Sequence, residues 1–270
     1  MVKGIKLSII GLGHMGLPIA QAIINSKVIA AANLTLVNRD LKCLKKLKKN
    51  NPKIQISSLV EIINSPDYLI IAVKPQDFPE LALSLKSQLK KTTTVISIMA
   101  GTSVAKIKKL LGVSKVVRLM PNLPIAQQAG VIGCFYNSEI VALNKKFIKK
   151  LFASQGLFLE LKQENQINQV TAIAGSGPAY VAYFMNELEA AAKKFGFSDE
   201  IAEQIVRQTF LGTISYLIDQ KIKPRELIAQ VKSKGGTTEA ALRVFQDKQI
   251  GQSLQEAYQK AFQRCVELSS

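Results

Sequence analysis

The stretch IKLSIIGLGHMGLPIAQAIINS, residues 5–26, decides the fold of the first half of the chain. It opens with the apolar run Ile5–Ile10, which predicts a strand, and it continues as Met15–Ser26, which predicts a helix. Between them lies Gly11–Gly16, a G-x-G-x-x-G sequence in the strand-to-helix context that gives this pattern its meaning. The N–H groups at such a helix start face the phosphates of a bound dinucleotide. The stretch therefore predicts a dinucleotide-binding unit, and the alternative is a glycine turn without a ligand.

Each glycine of the turn has a separate expected role. We expect Gly11 to make the tight turn, Gly13 to let the backbone approach a pyrophosphate, and Gly16 to let helix and strand pack closely. The predicted cofactor contacts of this turn are Gly11, Leu12, Gly13, His14, Met15 and Gly16.

The residues after the second predicted strand, Leu34–Asn38, indicate which nucleotide binds. Enzymes that use NAD place an acidic residue here, where it accepts a hydrogen bond from the ribose 2′-OH. This chain has Asn38, Arg39 and Asp40, followed by a lysine-rich helix over Leu41–Lys49. Arg39 can form a fork to a 2′-phosphate, which favours NADPH. Asp40 keeps NADH as the alternative cofactor, and we expect Asn38 and Arg39 to contact the nucleotide.

The remainder of the first half alternates apolar strands with helices. A capping-box spacing at Ser58 and Glu61 predicts a helix that ends before Pro66, and another helix is expected near Glu139–Ala153. Nearly continuous apolar strands separated by helices are typical of a parallel sheet covered on both faces. The further predicted strands are Tyr68–Val73, Thr94–Met99, Val116–Met120, Ala129–Tyr136 and Gly156–Leu161. The fold class is therefore α/β, with an N-terminal Rossmann-type, doubly wound and mostly parallel sheet.

Beyond about residue 164 the sequence has only helical periodicity. The predicted domains are a dinucleotide-binding domain over residues 1–162 and an all-α domain over residues 163–270. The helices expected in the second domain are Pro178–Phe195, Ser198–Ile218, Pro224–Val231, Thr237–Phe245 and Ser253–Leu268.

Composition excludes several other classes of protein. Of 270 residues, 47% are apolar, which allows a large core, and no apolar stretch is long enough to predict a membrane span. The net charge of +17 raises the question of nucleic acid, but the lysines are dispersed, aromatics are 6% and Trp is absent, so we expect no nucleic-acid partner. Three separated cysteines and the single His14 argue against a metal site and favour a reducing, cytoplasmic compartment. Glycines and His14 interrupt the apolar residues 7–24, so we expect no targeting segment there.

Two loops of the second half precede predicted helices. Gly175–Tyr180, GSGPAY, has the small residues and proline typical of a helix start. Ser233–Thr238, SKGGTT, combines two glycines with three hydroxyl residues just before a helix. Free N–H groups in such a loop indicate a site for a carboxylate or a phosphate, although a plain helix entry is the alternative.

Taken together, these segments resemble the pyrroline-5-carboxylate reductase family over essentially the whole length and in order. The matching motifs are Gly11–Gly16, AVKPQ at 72–76, SIMAG at 97–101, RLMPN at 118–122, GSGPAY at 175–180 and GGTT at 235–238. The resemblance implies NADPH-dependent reduction of the C=N bond of 1-pyrroline-5-carboxylate to L-proline, the last step of proline biosynthesis. The hydride comes from C4 of the nicotinamide.

The resemblance also implies roles for particular residues. The loop at 233–238 binds the substrate carboxylate, and Thr238 lies by the ring nitrogen as the catalytic residue. Residues of the AVKPQ and AG segments border the nicotinamide end of the cofactor. The C-terminal helices interlock two subunits, and the substrate pocket lies at the dimer interface. Dimers assemble further into decamers. The implied substrate-binding residues are Ser233, Gly235, Gly236, Thr237 and Thr238, and the implied nicotinamide-end residues are Ala72, Val73, Lys74, Pro75, Ala100 and Gly101.

Four positions depart from the family pattern, namely Leu123, Asn168, Ala174 and Lys234. They remove hydroxyl groups, a carboxylate and a proline, and they leave two further readings open. One is another imine or hydroxyacid reductase of the same architecture. Hydroxyacid dehydrogenases carry a catalytic Lys in the helix after GSG, and Pro178–Tyr183 has none. The other is a non-catalytic regulatory homologue.

Overall fold

The structure, a computed structural model, describes residues 4–58, 63 and 65–269. Its described part contains one sheet of eight strands in the order β3-β2-β1-β4-β5-β6-β7-β8. Neighbouring strands are parallel except β6 and β7, which are antiparallel. The strands are β1 (Leu7–Ile10), β2 (Leu34–Val37), β3 (Gln55–Ser57), β4 (Tyr68–Ile71), β5 (Thr94–Ser97), β6 (Val116–Pro121), β7 (Gly130–Tyr136) and β8 (Gly156–Leu161). The predicted Rossmann-type, mostly parallel sheet is confirmed.

The sheet is buried on both faces, as its apolar strands require. All residues of β1, β2, β4 and β5 are buried. One face packs against α1 (Gly16–Ser26), α2 (Leu41–Asn50) and α5 (Ala142–Phe152). The other packs against α3 (Phe78–Lys86) and α4 (Val104–Leu111).

The elements that were not predicted include β3, α3 and α4. The strand predicted over Tyr68–Val73 ends at Ile71, because the next residues leave the sheet toward a turn. The helix predicted from Ser58 and Glu61 falls mostly on residues outside the described ones. A short helix α6 (Gln166–Val170) leads into a π-helical turn, Thr171–Gly175, whose width is marked by the bond from Ser176 N to Thr171 O at 2.9 Å.

Contacts divide the chain into two compact units. The first runs to Pro178 and includes the segment from Ala261 onward, and the second is Ala179–Lys260. The remaining helices are α7 (Gly177–Lys194), α8 (Asp199–Gln220), α9 (Pro224–Val231), α10 (Thr237–Asp247) and α11 (Ile250–Ser269). The predicted helical character of the second half is confirmed, and the predicted domain boundary near residue 162 stays a prediction. None of the helices in the described part is both long and apolar enough to cross a membrane.

Candidate functional site

The carboxyl ends of β1, β2 and β4 surround a cavity of about 490 Å³. Ligands of open α/β sheets bind at this edge because the connecting loops diverge there. Seven predicted cofactor residues line the cavity: Gly11, Gly13, Asn38, Arg39, Ala72, Val73 and Lys74. Eight lining residues were not predicted as cofactor contacts: Ile10, Val37, Ser58, Gln76, Asp77, Glu80, Leu81 and Ser84. Gln76 belongs to the AVKPQ motif, so that motif was the available signal, and the others end strands β1 and β2, follow the motif or lie across the cavity.

The glycine turn is tightly packed at Gly11 and Gly16 and open at Gly13. Gly11 has φ +90°, and a Cβ there would lie 2.8 Å from the carbonyl carbon and oxygen of Ala72. A Cβ on Gly16 would overlap the carbonyl oxygen of Gly11, so helix α1 approaches the turn too closely for any side chain. A Cβ on Gly13 would meet no atom within 4 Å. Gly13 therefore faces open space, and the backbone needs such space at a position that a ligand approaches.

Helix α1 begins at Gly16, and no acidic residue lies in its first turn. The early N–H groups of a helix have no partner within it and carry the positive end of its dipole. His14 is exposed and Met15 is half-buried at this end. Leu12 differs from its neighbours, because its side chain belongs to the hydrophobic core and its N–H donates to Asn38 Oδ1 at 3.0 Å.

Asn38 joins the glycine turn to the loop after β2. Its Oδ1 accepts from Leu12 N, and its Nδ2 donates to the carbonyl oxygen of Asp40 at 2.9 Å. Asp40 is the N-cap of α2, and its carboxylate accepts from Lys42 N at 2.8 Å. That carboxylate is thus engaged in capping a helix. Arg39 is exposed and pairs with Asp77 at 3.1 Å.

The segments expected at the nicotinamide end follow β4 and β5. Ala72 N donates to Ile10 O at 2.8 Å, and the chain then turns into a short 3-10 helix, Pro75–Asp77. Ala100 is exposed after β5, and Gly101 is buried with φ +63°. A Cβ on Gly101 would lie 2.6 Å from the carbonyl oxygen of Leu268, so the end of α11 packs on this turn. Pro75, Ala100 and Gly101 do not line the cavity.

The Ser233–Thr238 loop joins α9 to α10. Gly235 has φ +71°, Gly236 is the N-cap of α10, and Thr238 is half-buried in the first turn of that helix. The loop belongs to the second compact unit and the glycine turn to the first.

Glu239 holds this loop in shape and was missed by the sequence reasoning. Its Oε2 accepts from Gly235 N at 2.7 Å, and its Oε1 pairs with Lys232 Nζ at 3.2 Å. The hydrogen bond from Gly235 N–H holds the pKa of the Glu239 carboxyl below its usual value, and the hydrogen bond from Lys232 lowers it to a smaller extent. A negative charge is therefore already stabilised at this helix entry.

The RLMPN motif has a structural task in the first unit. Asn122 Oδ1 accepts from Val131 N at 2.8 Å, and its Nδ2 donates to Ala174 O at 3.0 Å. The buried Arg118 pairs with Glu164 at 2.8 Å, and Glu164 also accepts from Val104 N. The four departures lie in different settings: Asn168 is buried, Ala174 is half-buried, and Leu123 and Lys234 are exposed.

Comparison with known proteins places the chain in a family. Residues 164–268 match the model for pyrroline-5-carboxylate reductase dimerisation, and residues 6–101 match the model for coenzyme F420-dependent NADP oxidoreductase. The chain is 34% identical to the pyrroline-5-carboxylate reductase of Pseudomonas aeruginosa, covering 79% of each chain. It is 31% identical to that of Aquifex aeolicus, covering 99% of each.

Solved structures agree with these relatives. The pyrroline carboxylate reductase of Plasmodium falciparum with NADP bound superposes with a TM-score of 0.88 at 27% identity, covering 100% of both chains. The pyrroline-5-carboxylate reductase of Coxiella burnetii superposes with a TM-score of 0.87 at 30% identity, covering 98% of both. The chain belongs to the pyrroline-5-carboxylate reductase family.

Proposed function

We propose that this chain catalyses the NADPH-dependent reduction of 1-pyrroline-5-carboxylate to L-proline. The observation that carries the proposal is the cavity at the glycine turn, with Arg39 at its mouth, in a chain that aligns with the family's reductases over nearly its full length. The named relatives catalyse this reaction, and the Plasmodium relative binds NADP.

The residues of the cavity fit a dinucleotide. Open space at Gly13, the positive end of the α1 dipole and the absence of acidic residues in the first turn of α1 suit a pyrophosphate. Arg39 suits a 2′-phosphate, and the use of Asp40 as a helix cap favours NADPH over NADH. When bound, the nicotinamide supplies the hydride.

The chain's own residues bind and orient the substrate. The loop residues Ser233, Gly235, Gly236, Thr237 and Thr238 hold its carboxylate at the entry of α10. In the single chain Gly235 N donates to Glu239 Oε2 and Gly236 N donates to Ser233 O, so a substrate carboxylate that takes these two N–H groups replaces those bonds. The half-buried Thr238 hydroxyl donates or relays a hydrogen bond to the ring nitrogen. Such positioning can lower a barrier by about 7–11 kcal/mol without a nucleophile or a metal. Lys74 is exposed beside Pro75, and we assign it no proton transfer.

Self-association completes the proposal. The chain carries the family's dimerisation domain, which supports a homodimer that buries the helices after α6. Apolar side chains on α8 are exposed in the single chain, including Ile205, Leu211 and Ile218. We extend the proposal to a decamer built from dimers and to the cytoplasm, where cysteine thiols stay reduced.

The test is an NADPH-oxidation assay with 1-pyrroline-5-carboxylate on the wild type and on Thr238→Ala. We expect turnover to fall on the order of a hundredfold or more with circular dichroism unchanged. The matched control is Thr92→Ala, which removes an exposed hydroxyl in a turn outside the site and should leave turnover intact. A wild type that binds NADPH but reduces only a keto acid, or that oxidises only a hydroxy acid with NADP⁺, would refute the proposal.

A second experiment tests the cofactor assignment. Arg39→Ala should raise the KM for NADPH far more than the KM for NADH, because only NADPH carries the 2′-phosphate. Equal effects on the two cofactors would contradict the role given to Arg39.

A further inference from the structure

An acidic side chain already holds the arginine at the mouth of the cofactor cavity. Asp77 Oδ2 lies 3.1 Å from Arg39 Nη2, and both residues line the cavity. The arginine comes from the loop after β2 and the aspartate from the turn after β4, strands that flank β1 on either side. The Arg39 side chain is 89% exposed and that of Asp77 is 37% exposed, so a largely exposed guanidinium pairs with a more buried carboxylate.

This pair matters for the cofactor because two anions compete for one cation. A guanidinium binds carboxylates and phosphates through the same planar set of donors. A 2′-phosphate that binds Arg39 must either replace the Asp77 carboxylate or share the guanidinium with it, and a like charge nearby then opposes it. A ribose 2′-OH carries no charge and meets neither obstacle.

A negative charge at the start of a helix is favoured by the helix dipole, so Asp77 also stabilises α3 by a small amount. It occupies the N-cap of α3 without a capping hydrogen bond from its side chain. An exposed ion pair of this kind contributes little to folding. Two other acidic residues lie in this region: Asp40, whose carboxylate accepts from Lys42 N, and Glu80, which also lines the cavity.

We propose that Asp77 is a specificity-determining residue that weakens this chain's preference for NADPH over NADH. Its carboxylate holds Arg39 when no 2′-phosphate is present and opposes the 2′-phosphate when NADPH binds. The inference rests on the proposed function, since it assumes that the cavity binds these cofactors.

The experiment measures the Kd of NADPH and of NADH, by cofactor fluorescence without substrate, for the wild type and for Asp77→Asn and Asp77→Ala. We expect the Kd of NADPH to fall about three- to tenfold in both variants, with the gain shrinking at high salt, and that of NADH to change less than about twofold. In an Arg39→Ala background the gain should be smaller, because the pair itself is gone.

The matched control is Glu160→Gln. Glu160 forms an exposed ion pair with Lys149 at 3.2 Å and does not line the cavity, so both Kd values should stay unchanged. An unchanged ratio of the two Kd values in the Asp77 variants overturns the inference while leaving the reductase activity in place. A wild type that binds neither cofactor overturns the proposed function itself.

Discussion

Two glycines of the same turn should respond to the same substitution in opposite ways. Gly11→Ala places a methyl group at φ +90°, 2.8 Å from the backbone of Ala72 and 2.9 Å from Val73 Cγ1. Gly13→Ala places one where no atom lies within 4 Å and where φ is not in the left-handed region. The first change disturbs the fold, and the second occupies only the space that the ligand needs.

The magnitudes follow from these contacts. A non-glycine residue in such a backbone conformation costs about 1–3 kcal/mol, and the forced overlap costs about 1–3 kcal/mol more. Gly11→Ala should therefore lower the free energy of unfolding by roughly 2–6 kcal/mol, a large part of the 5–15 kcal/mol typical of a domain. Gly13→Ala should leave it unchanged or raise it by about 0.4–1 kcal/mol, because the unfolded chain loses freedom.

Urea denaturation followed by far-ultraviolet circular dichroism, at one protein concentration, measures the first effect. Cofactor titration measures the second: Gly13→Ala should weaken NADPH binding at least about tenfold, which is ~1.4 kcal/mol. This prediction is contradicted by a Gly13→Ala variant that is destabilised as strongly as Gly11→Ala. It is equally refuted by one that binds NADPH like the wild type.

Three further predictions concern charged and thiol groups. The hydrogen bond from Gly235 N lowers the pKa of the Glu239 carboxyl. The bond should therefore order the loop fully at a pH above the usual glutamate pKa. This order should be lost as the pH falls through the lowered pKa of Glu239. Proteolysis of the loop across pH 3–6 should show this, and Glu239→Gln should abolish the dependence. Glu164→Gln should cost about 3–5 kcal/mol in urea denaturation, because it leaves the buried Arg118 without its counter-ion. Burial raises the pKa of Cys134 to about 12, so this thiol should resist iodoacetamide at pH 8 until the protein unfolds.

The central strands could be predicted because their residue types indicate that they are buried. Strands β1, β4 and β5 are short apolar runs between turns, and such runs have few alternatives to a covered parallel sheet. Strand β3 has three residues at the sheet edge, two of them polar, and its pairing depends on β2 rather than on its own pattern. Helix α4 has caps at Ser103 and Gly112, so its signal was present and was overlooked.

The site residues could be predicted where they belong to one continuous motif. Contacts between side chains of different segments could not be predicted. The glycine turn, Asn38 and Ala72–Lys74 come together because parallel strands end at the same edge. The contact between Arg39 and Asp77 depends on β2 and β4 lying on opposite sides of β1, and sequence spacing alone does not specify that order. The bond from Glu239 to Gly235 likewise depends on a side-chain rotamer at a helix start.

The capping of α2 by Asp40 limits how this protein could be re-engineered to use NADH. Removing Arg39 would take away a phosphate ligand without releasing a carboxylate for the ribose diol, because that of Asp40 is bonded to Lys42 N. Recruiting Asp40 to the diol would uncap the helix at a cost of about 1 kcal/mol. A designer would therefore add a new acceptor at position 38 or 39 and leave Asp40 alone, and a substitution at Asn38 would have to preserve the acceptor that Leu12 N requires.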